Sequence, residues 1–217
     1  MEWALLAGVP AEDVTRVLSI ARRRTFRRGE VVFHMGDPAD TLHLIAEGRF
    51  AVRVQTPLSD SVVLTILGPG EIFGELALLD PGGRRSATVE ALEAGETRSI
   101  HAPDFARLRA EHPSVSEVLI AILAGEVRRL TDHLLEALHV PADRRVLRRL
   151  ADLADAYDPT GDEAVVPLRQ EDLAGLAGTS RPTVNRVLRE EEERGLVRLA
   201  RGRIAVLDRE GLRRRAR

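Results

Sequence analysis

With 217 residues, of which 44% are hydrophobic and 30% charged, the chain has the composition of a soluble globular protein and is long enough for one large or two small domains. It has no cysteine, which excludes disulfides, thiol redox chemistry and cysteine-ligated metal clusters, and the lack of a signal peptide or of an apolar run near about 20 residues predicts a cytoplasmic protein with no membrane contact. The basic side chains are all arginine; they outnumber the acidic residues 17 to 14 over residues 140–217 but are outnumbered 20 to 15 over residues 1–139, which favours a nucleic-acid contact by the C-terminal part.

The N-terminal segment is predicted to be helical and to be followed by short strands. Apolar residues recur at helical spacing up to about residue 22, and Pro10 begins a second helix. Alternating polar and apolar residues then predict strands, separated by glycine-rich turns, at 49–55, 62–67, 87–92 and 97–100. Many short strands at near-even spacing indicate an antiparallel barrel or sandwich.

Among these strands, a glycine-bearing turn brings together chemistry suited to a phosphorylated ligand. The segments Gly74-Glu75-Leu76-Ala77 and Arg84-Arg85-Ser86-Ala87 flank a predicted turn at residues 81–83. A carboxylate accepts two hydrogen bonds from a sugar diol, and a guanidinium presents a planar fork that matches phosphate. A ligand that carries both groups at that distance is a nucleotide, so the turn predicts a sensor of a small phosphorylated molecule.

A long helix is predicted after the strands and after a short helix at 103–112. Helical periodicity runs from Ser114, a predicted N-cap with Glu117 three residues on, to about Leu138. Apolar residues alternate spacings of three and four over about two and a half heptads; they are Ile120, Leu123, Val127, Leu130, Leu134 and Ala137. This seam favours pairing with the same helix of a second subunit, and the alternative is packing onto the strands of its own chain.

Residues 140–217 are predicted to form a second domain that contains a helix-turn-helix. Pro141 breaks the long helix, and Asp143 is placed to cap the next one, over 143–156. Within residues 170–189, an apolar first helix ends at a tight turn, and a second helix begins at a polar cap. The turn residue is Gly178, the cap is Thr179 or Ser180, and Pro182 fits the first turn of the second helix.

The second helix has an arginine-rich outer face that suits DNA. Its predicted inner face is Val184, Val187 and Leu188, and its outer face is Arg181, Asn185, Arg186 and Arg189. Arginine forks match guanine edges and asparagine can pair with adenine, although such a face can also be simply solvated. A hairpin over 196–207 follows, a wing whose tip carries Arg201 and Arg203. Glu190–Glu193 are expected to be a solvated face, and Arg213–Arg215 either extra phosphate contacts or a frayed end.

Over nearly its whole length, the chain resembles the cyclic-AMP receptor (catabolite activator)/Fnr family of bacterial transcription regulators. The resemblance implies an α+β fold with an N-terminal antiparallel β-roll that binds a cyclic nucleotide (1–113), a long dimerisation helix and hinge (114–139) and a C-terminal winged helix-turn-helix (140–217).

The same resemblance implies roles for single residues. Gly74, Glu75 and Leu76, with Arg85, Ser86 and Ala87, look like the family's phosphate-binding cassette. Glu75 would take the ribose 2′-hydroxyl; Arg85 would take the cyclic phosphate, helped by Ser86 and the backbone N–H of Ala87; and Arg84 would be exposed. The recognition helix would start at Ser180-Arg181-Pro182-Thr183, with Arg181 and Arg186 at base-reading positions.

Two departures from the family pattern bear on specificity. The pair that holds adenine in cyclic-AMP responders, Thr-Ser, is Leu130-Thr131 here, so recognition of the base is less supported than recognition of the phosphate. Pro182 replaces an acidic base reader, and because proline cannot accept a bond from cytosine N4, the DNA consensus should differ at that position.

The expected function is that of a homodimeric regulator, not an enzyme, that binds a pseudo-palindromic operator in double-stranded DNA under the control of cAMP, with cGMP a less favoured effector. RNA polymerase is the partner that the resemblance implies, through the loop at 158–163 or a barrel surface. No cofactor or metal site is predicted, although a haem sensor using His34 or His43 is conceivable. The alternatives are a regulator of the same fold that is active without effector and a cyclic-nucleotide-binding subunit that regulates a protein partner.

Overall fold

The computed structural model describes residues 3–6, 9–55, 61–79, 83–159, 161 and 163–217, and it divides the chain into two compact units, residues 1–129 and 130–217. Parts of the predicted N-terminal helix, of the turn at 81–83 and of the loop at 158–163 lie outside the described residues. Within the described part of the chain, no helix is long and apolar enough to cross a membrane.

The first unit is built from short strands placed between helices. Its strands are β1 (Arg22–Phe26), β2 (Val31–Phe33), β3 (Thr41–Glu47), β4 (Phe50–Gln55), β5 (Ser61–Leu67), β6 (Ile72–Phe73), β7 (Thr88–Ala91) and β8 (Gly95–His101). Its helices are α1 (Ala11–Ile20), α2 (Leu76–Leu79) and α3 (Ala102–Glu111), and α4 (Pro113–His139) begins in this unit.

The strands form two four-stranded antiparallel sheets, with orders β1-β8-β3-β6 and β2-β7-β4-β5, as the β-roll prediction required. The side chains that fill the space between the sheets include Phe26, Ile45, Phe50, Phe73 and Val89. Because side chains alternate along a strand, the neighbouring residues Leu42, Leu44 and Ile100 point the other way and pack against Phe105 and Val115 of the helices.

The predicted end of the N-terminal helix, near residue 22, was wrong, because α1 ends at Ile20. Pro10 precedes α1 as predicted, but the backbone of Ala21 is extended, with ψ of 129°, and Arg22 already belongs to β1. Every residue of β1 is paired with β8, and this pairing across some 75 residues of chain outweighs the local helical pattern. The sequence of β1 also shows no alternation of polar and apolar residues, because three arginines and a threonine precede Phe26, its one buried residue.

Helix α4 presents an apolar surface that the described residues of its own chain leave exposed. It begins at Pro113, one residue before the predicted cap. Val115 and Leu119 are buried in the first unit, and Leu123 packs against the same core. The side chains of Ile120, Val127, Leu130, Leu134, Leu135 and Leu138 are between 51% and 67% exposed. Packing onto the strands of the same chain therefore accounts for the first turns of the helix only.

In its described part, the second unit contains the end of α4, four further helices and a small sheet. After the break at residues 140–141 come α5 (Ala142–Tyr157), β9 (Ala164–Val166), α6 (Gln170–Leu176), α7 (Arg181–Glu193), β10 (Val197–Ala200), β11 (Arg203–Val206) and α8 (Arg209–Arg215). The sheet order is β10-β11-β9; β10 and β11 form the predicted hairpin, and β9 was not predicted. Fully buried side chains include Leu150, Leu173, Val184, Leu188 and Val206.

Asp143 does not cap α5, contrary to the prediction. The N-cap position is held by Pro141, and no side chain caps it. Asp143 lies in the first turn, where its carboxylate accepts a hydrogen bond of 2.6 Å from Nη2 of Arg186 on α7. The carboxylate is thus used between two helices rather than within one.

Candidate nucleotide site and DNA interface

The turn after β6 can be made only by glycine. Gly74 has φ of +89°, in the left-handed region that favours glycine, and a Cβ there would lie 2.5 Å from Nη1 of Arg85 and 2.9 Å from the carbonyl oxygen of Thr41. The absence of a side chain therefore lets the guanidinium of Arg85 pass beneath the turn. Gly74 and Arg85, 11 residues apart in the sequence, are thus brought into direct contact, with Nη1 of Arg85 3.3 Å from the carbonyl oxygen of Gly74.

Arg85 is buried, with its guanidinium held by internal partners. Its side chain is 2% exposed; Nη1 donates to the carbonyl oxygen of Thr41 at 2.8 Å and Nη2 to the hydroxyl of Thr41 at 2.8 Å. The guanidinium also lies 4.0 Å from the ring centroid of Phe33, a cation–π contact. Burial lowers the pKa of Arg85, and Asp40 opposes that effect. Sequence reasoning missed Thr41 and Phe33 because both lie more than 40 residues away in the chain.

Glu75 is a partly buried carboxyl group close to this arginine. Burial raises its pKa, and the charge of Glu126 on α4 raises it further, whereas Arg85 opposes the shift. A hydrogen-bond donor on a ligand would stabilise the ionised form of a carboxyl group in this environment. The arrangement therefore suits an acceptor for hydroxyl groups.

The remaining predicted cassette residues lie at different depths. Ser86 and Leu76 are exposed, and Ala87 is buried. Arg84 is exposed, as predicted, and donates to the carbonyl oxygen of Gly36 at 2.8 Å. Leu130 and Thr131 lie on exposed positions of α4. Ser86 thus presents its hydroxyl to solvent beside the buried guanidinium.

His43 is a packed histidine next to the same arginine. Its ring stacks on Phe73, 4.8 Å between centroids, and its Nδ1 lies 3.0 Å from the hydroxyl of Thr97. Burial, then the charges of Arg85 and Arg24, lower the pKa of His43 to about 3, so the imidazole is neutral at physiological pH. Among the residues described, no group of three or more histidine or acidic side chains could hold a metal ion.

The second unit contains the predicted helix-turn-helix. Gly178 has φ of +58°, and Ser180 is the N-cap of α7, its hydroxyl accepting from the backbone N–H of Thr183 at 3.4 Å. Pro182 lies in the first turn, and Val184, Val187 and Leu188 are buried against the other helices. The local signals for this turn and cap were therefore sufficient to predict it.

The outer face of α7 is partly engaged within the chain. Arg181 and Arg189 are exposed. Arg186 pairs with Asp143 at 2.6 Å and with Glu190 at 2.7 Å, contacts that raise its pKa. Asn185 is half-buried and donates to Oε1 of Gln170 on α6 at 3.0 Å, so this residue of the predicted outer face already has a partner within the chain.

The hairpin β10–β11 forms the predicted wing beside this helix. Its turn has Gly202 at φ of +70°, and Arg201 and Arg203 are exposed on either side. A cavity of about 570 Å³ lies between α7 and the wing, and its lining includes Asn185, Arg189 and Arg201. The helix and the wing therefore offer two cationic edges with an open space between them.

Within the second unit, one residue of the acidic run is buried, and the C-terminal arginines Arg213 and Arg215 form ion pairs. Glu191 is 1% exposed and accepts hydrogen bonds from Arg194 and from Nε and Nη2 of Arg215. Arg213 pairs with Asp155 at 2.6 Å. The run is thus not a purely solvated face, and these arginines belong to helix α8 rather than to a frayed end.

Comparison with known proteins agrees with this geometry. A model of the cyclic nucleotide-binding domain matches residues 23–112, and a model of the Crp-like helix-turn-helix domain matches residues 144–215. The chain is 36% identical over 219 residues to a CRP-like cAMP-activated global transcriptional regulator of Mycobacterium tuberculosis (98% of this chain, 96% of the relative). It is 36% identical over 202 residues to the cyclic AMP receptor protein of Thermus thermophilus (93% and 91%).

Solved structures show the same architecture. The crystal structure of the Thermus thermophilus catabolite activator protein matches with a TM-score of 0.57 and 34% identity, covering 98% of each chain. A CRP-family regulator from the same organism, TTHB099, matches with a TM-score of 0.73 and 27% identity, covering 89% of this chain and 96% of that one.

Proposed function

The chain belongs to the CRP/FNR family of transcription regulators, and from that premise we propose that it is a homodimer whose binding to a pseudo-palindromic operator in double-stranded DNA is controlled by cAMP. The cyclic-nucleotide-binding domain and the helix-turn-helix are the parts that the family models match. The contact between Gly74 and Arg85, with Glu75 beside it, is the observation that carries the proposal of a cyclic-nucleotide effector.

The cassette supports recognition of a ribose and a cyclic phosphate. The guanidinium fork of Arg85 matches two phosphate oxygens, and Ser86 adds an exposed hydroxyl. Glu75 accepts a hydrogen bond from the ribose 2′-hydroxyl. Binding exchanges the internal partners of Arg85 for phosphate oxygens of opposite charge. The relative in Mycobacterium tuberculosis is described as cAMP-activated, which favours adenine as the base.

The exposed seam of α4 supports dimerisation. Ile120, Val127 and Leu134 are at least 60% exposed in the single chain and recur at heptad spacing. Pairing two copies of this helix would remove these side chains from water. A two-fold dimer then presents two α7 helices to successive major grooves, about one turn of DNA apart.

On the operator, we assign the outer residues of α7 to the major groove and the wing to the backbone. Arg181 and Arg186 read base edges, Asn185 adds a donor, and Arg201 and Arg203 contact phosphates. Arg186 must first leave Asp143, and Asn185 must leave Gln170, so DNA replaces existing partners. RNA polymerase is the proposed protein partner of the bound dimer.

Calorimetric titration of the purified protein with cAMP and cGMP, followed by an operator-binding assay with and without the nucleotide, tests the proposal. We expect saturable heat with cAMP, weaker binding of cGMP, and tighter operator binding in the presence of cAMP. No heat and no thermal shift with either nucleotide would refute the effector.

A second candidate function is a regulator of the same fold that needs no effector. The observation that favours it is that the guanidinium of Arg85 already has hydrogen bonds to Thr41 and a cation–π contact with Phe33. An Arg85→Ala protein that protects its operator as well as wild type, without nucleotide, would support this alternative.

A further inference from the structure

The inner face of the sheet β1-β8-β3-β6 changes character along its length. At one end it carries Phe26 and Ile45, which belong to the apolar core between the sheets. At the other end the same face carries polar side chains in neighbouring registers, with Arg22 paired with Ser99 and Arg24 paired with Thr97. Ser99 and Thr97 are buried. The hydroxyl of Thr97 bonds to His43, and Arg22 and Arg24 are exposed, so the charged end of this face opens to solvent.

These polar side chains line a cavity of about 450 Å³, a volume in the range of sites for small molecules. Arg22, Arg24, Ser99 and His101 form one wall, and Phe33 and Arg85 belong to the opposite side. Glu75, Ser86 and Ala87 of the cassette are not among the lining residues. Among the described residues, the cavity lining thus shares only Arg85 with the predicted cassette.

The cavity has an unbalanced positive charge. Within the described part of the chain, neither Arg22 nor Arg24 forms an ion pair, whereas Arg23, which points to the other face of β1, pairs with Glu96. The buried Nε of Arg85 has no hydrogen-bond partner.

The lining contains two acidic side chains, Asp37 and Asp40, against three arginines, and the ion pair of Asp40 is with Arg85. The carboxylate of Asp37 accepts from the backbone N–H of His34 at 2.8 Å. That of Asp40 is 72% exposed and lies 3.7 Å from Nη2 of Arg85. Opposite charge is thus present at the rim, while Arg22 and Arg24 remain available to a ligand.

We propose that this cavity binds a small metabolite that carries a phosphate, with the phosphate held by Arg22 and Arg24 and within reach of Arg85. Guanidinium forks and hydroxyl donors are the groups that recognise phosphate, and Val32 and Phe33 in the lining offer apolar surface to the rest of the molecule. Because Arg85 belongs to both sites, occupancy of the cavity and of the nucleotide site are coupled, and the two ligands weaken each other's binding.

Titration calorimetry with pyrophosphate, at constant ionic strength, tests the site in the full chain. The variant Arg22→Gln/Arg24→Gln removes the two unpaired cations, and Arg23→Gln is the matched control, since it removes one charge from the same strand on the opposite face. We expect pyrophosphate to bind saturably to wild type and to the control, and to bind the double variant at least about tenfold more weakly than wild type. Cyclic AMP binding to the double variant should be unchanged.

Three results would overturn the proposal. The first is no saturable pyrophosphate binding to the folded wild type, and the second is equal pyrophosphate binding by the double variant and the control. The third is loss of both cAMP and pyrophosphate binding in the double variant, which would make the cavity part of the nucleotide site. Absence of cAMP binding with pyrophosphate binding intact would instead refute the proposed effector and leave the cavity standing. Circular dichroism of the double variant verifies that it is folded.

Discussion

Replacing Glu75 by glutamine separates ligand binding from folding, because the two effects have opposite signs. Burial and then Glu126 raise the pKa of Glu75 in the folded chain. A raised pKa means that the ionised carboxylate is less favourable in the folded chain than in the unfolded one, a cost that is present above the unfolded pKa and hence at neutral pH. The neutral amide has nearly the same shape. We therefore expect Glu75→Gln to raise the midpoint of thermal unfolding of the free protein at pH 7.

The affinity for the nucleotide should change in the other direction. A hydrogen bond to a charged group contributes about 1.5–3 kcal/mol and one between neutral groups about 0.5–1.5 kcal/mol, so the substitution costs about 1–1.5 kcal/mol for each ribose hydroxyl that Glu75 accepts. One such bond raises the Kd for cAMP about 5- to 12-fold, which titration calorimetry resolves. For wild type, affinity should rise with pH through the titration of Glu75, and this dependence should be lost in the variant.

Glu71→Gln is the matched control. Glu71 lies four residues before Glu75, and its exposed carboxylate accepts a hydrogen bond of 2.7 Å from the backbone N–H of Gly68. An amide oxygen can accept the same bond. An unchanged cAMP affinity in Glu75→Gln, together with a higher unfolding midpoint, would show that the carboxyl group is buried without touching the ligand. That result would refute the assignment of Glu75 to the ribose.

Other substitutions test the remaining parts of the molecule. Leu150→Ala empties a fully buried position and should lower the free energy of unfolding by about 2–5 kcal/mol in urea titrations. Gly74→Ala forces a side chain to φ of +89° against Arg85, so we expect the free energy of unfolding to fall by about 1–3 kcal/mol and cAMP binding to be lost; wild-type affinity for cAMP would contradict the close approach. Leu134→Glu places an unpaired charge in the proposed seam, which should weaken the dimer roughly a hundredfold or more in sedimentation experiments; an unchanged dimer would exclude this seam. Arg181→Ala should weaken operator binding by about 1–3 kcal/mol, and Arg107→Ala, in the other unit, should not; equal losses would point to non-specific charge.

The helix-turn-helix could be predicted from the sequence because its signals are local. Gly178 at the turn, Ser180 at the cap and the apolar spacing on α7 lie within a few residues of one another, and each acts through its own backbone. The roll was predicted as a class of fold for the same reason, since alternation and glycine-bearing turns repeat along the chain. No range was predicted for β2, β3 or β6. Strands β1 and β9 were not predicted either, because pairing with distant strands, rather than their own pattern, stabilises them.

The candidate site was predictable only in part. The register of Gly74, Glu75 and Arg85 is visible in the sequence, but the partners of Arg85 are not, because Thr41 lies 44 residues away and reaches it through the fold. The same holds for Glu191, whose burial depends on Arg215 from another helix. A charged residue in a run of charges gives no sign of whether it faces water or a partner.

The two sets of ion pairs on α7 differ in how easily they exchange. Glu191 is buried beneath Arg194 and Arg215, so it ties the helix to the second unit as long as that unit is folded. The pair between Arg186 and Asp143 is about half exposed and can open to water at little cost. In the proposed operator complex, the axis of α7 is therefore fixed before DNA binds, and only the side chains proposed to read bases, Arg186 and Asn185, have to leave internal partners. Less conformational entropy is then lost on binding.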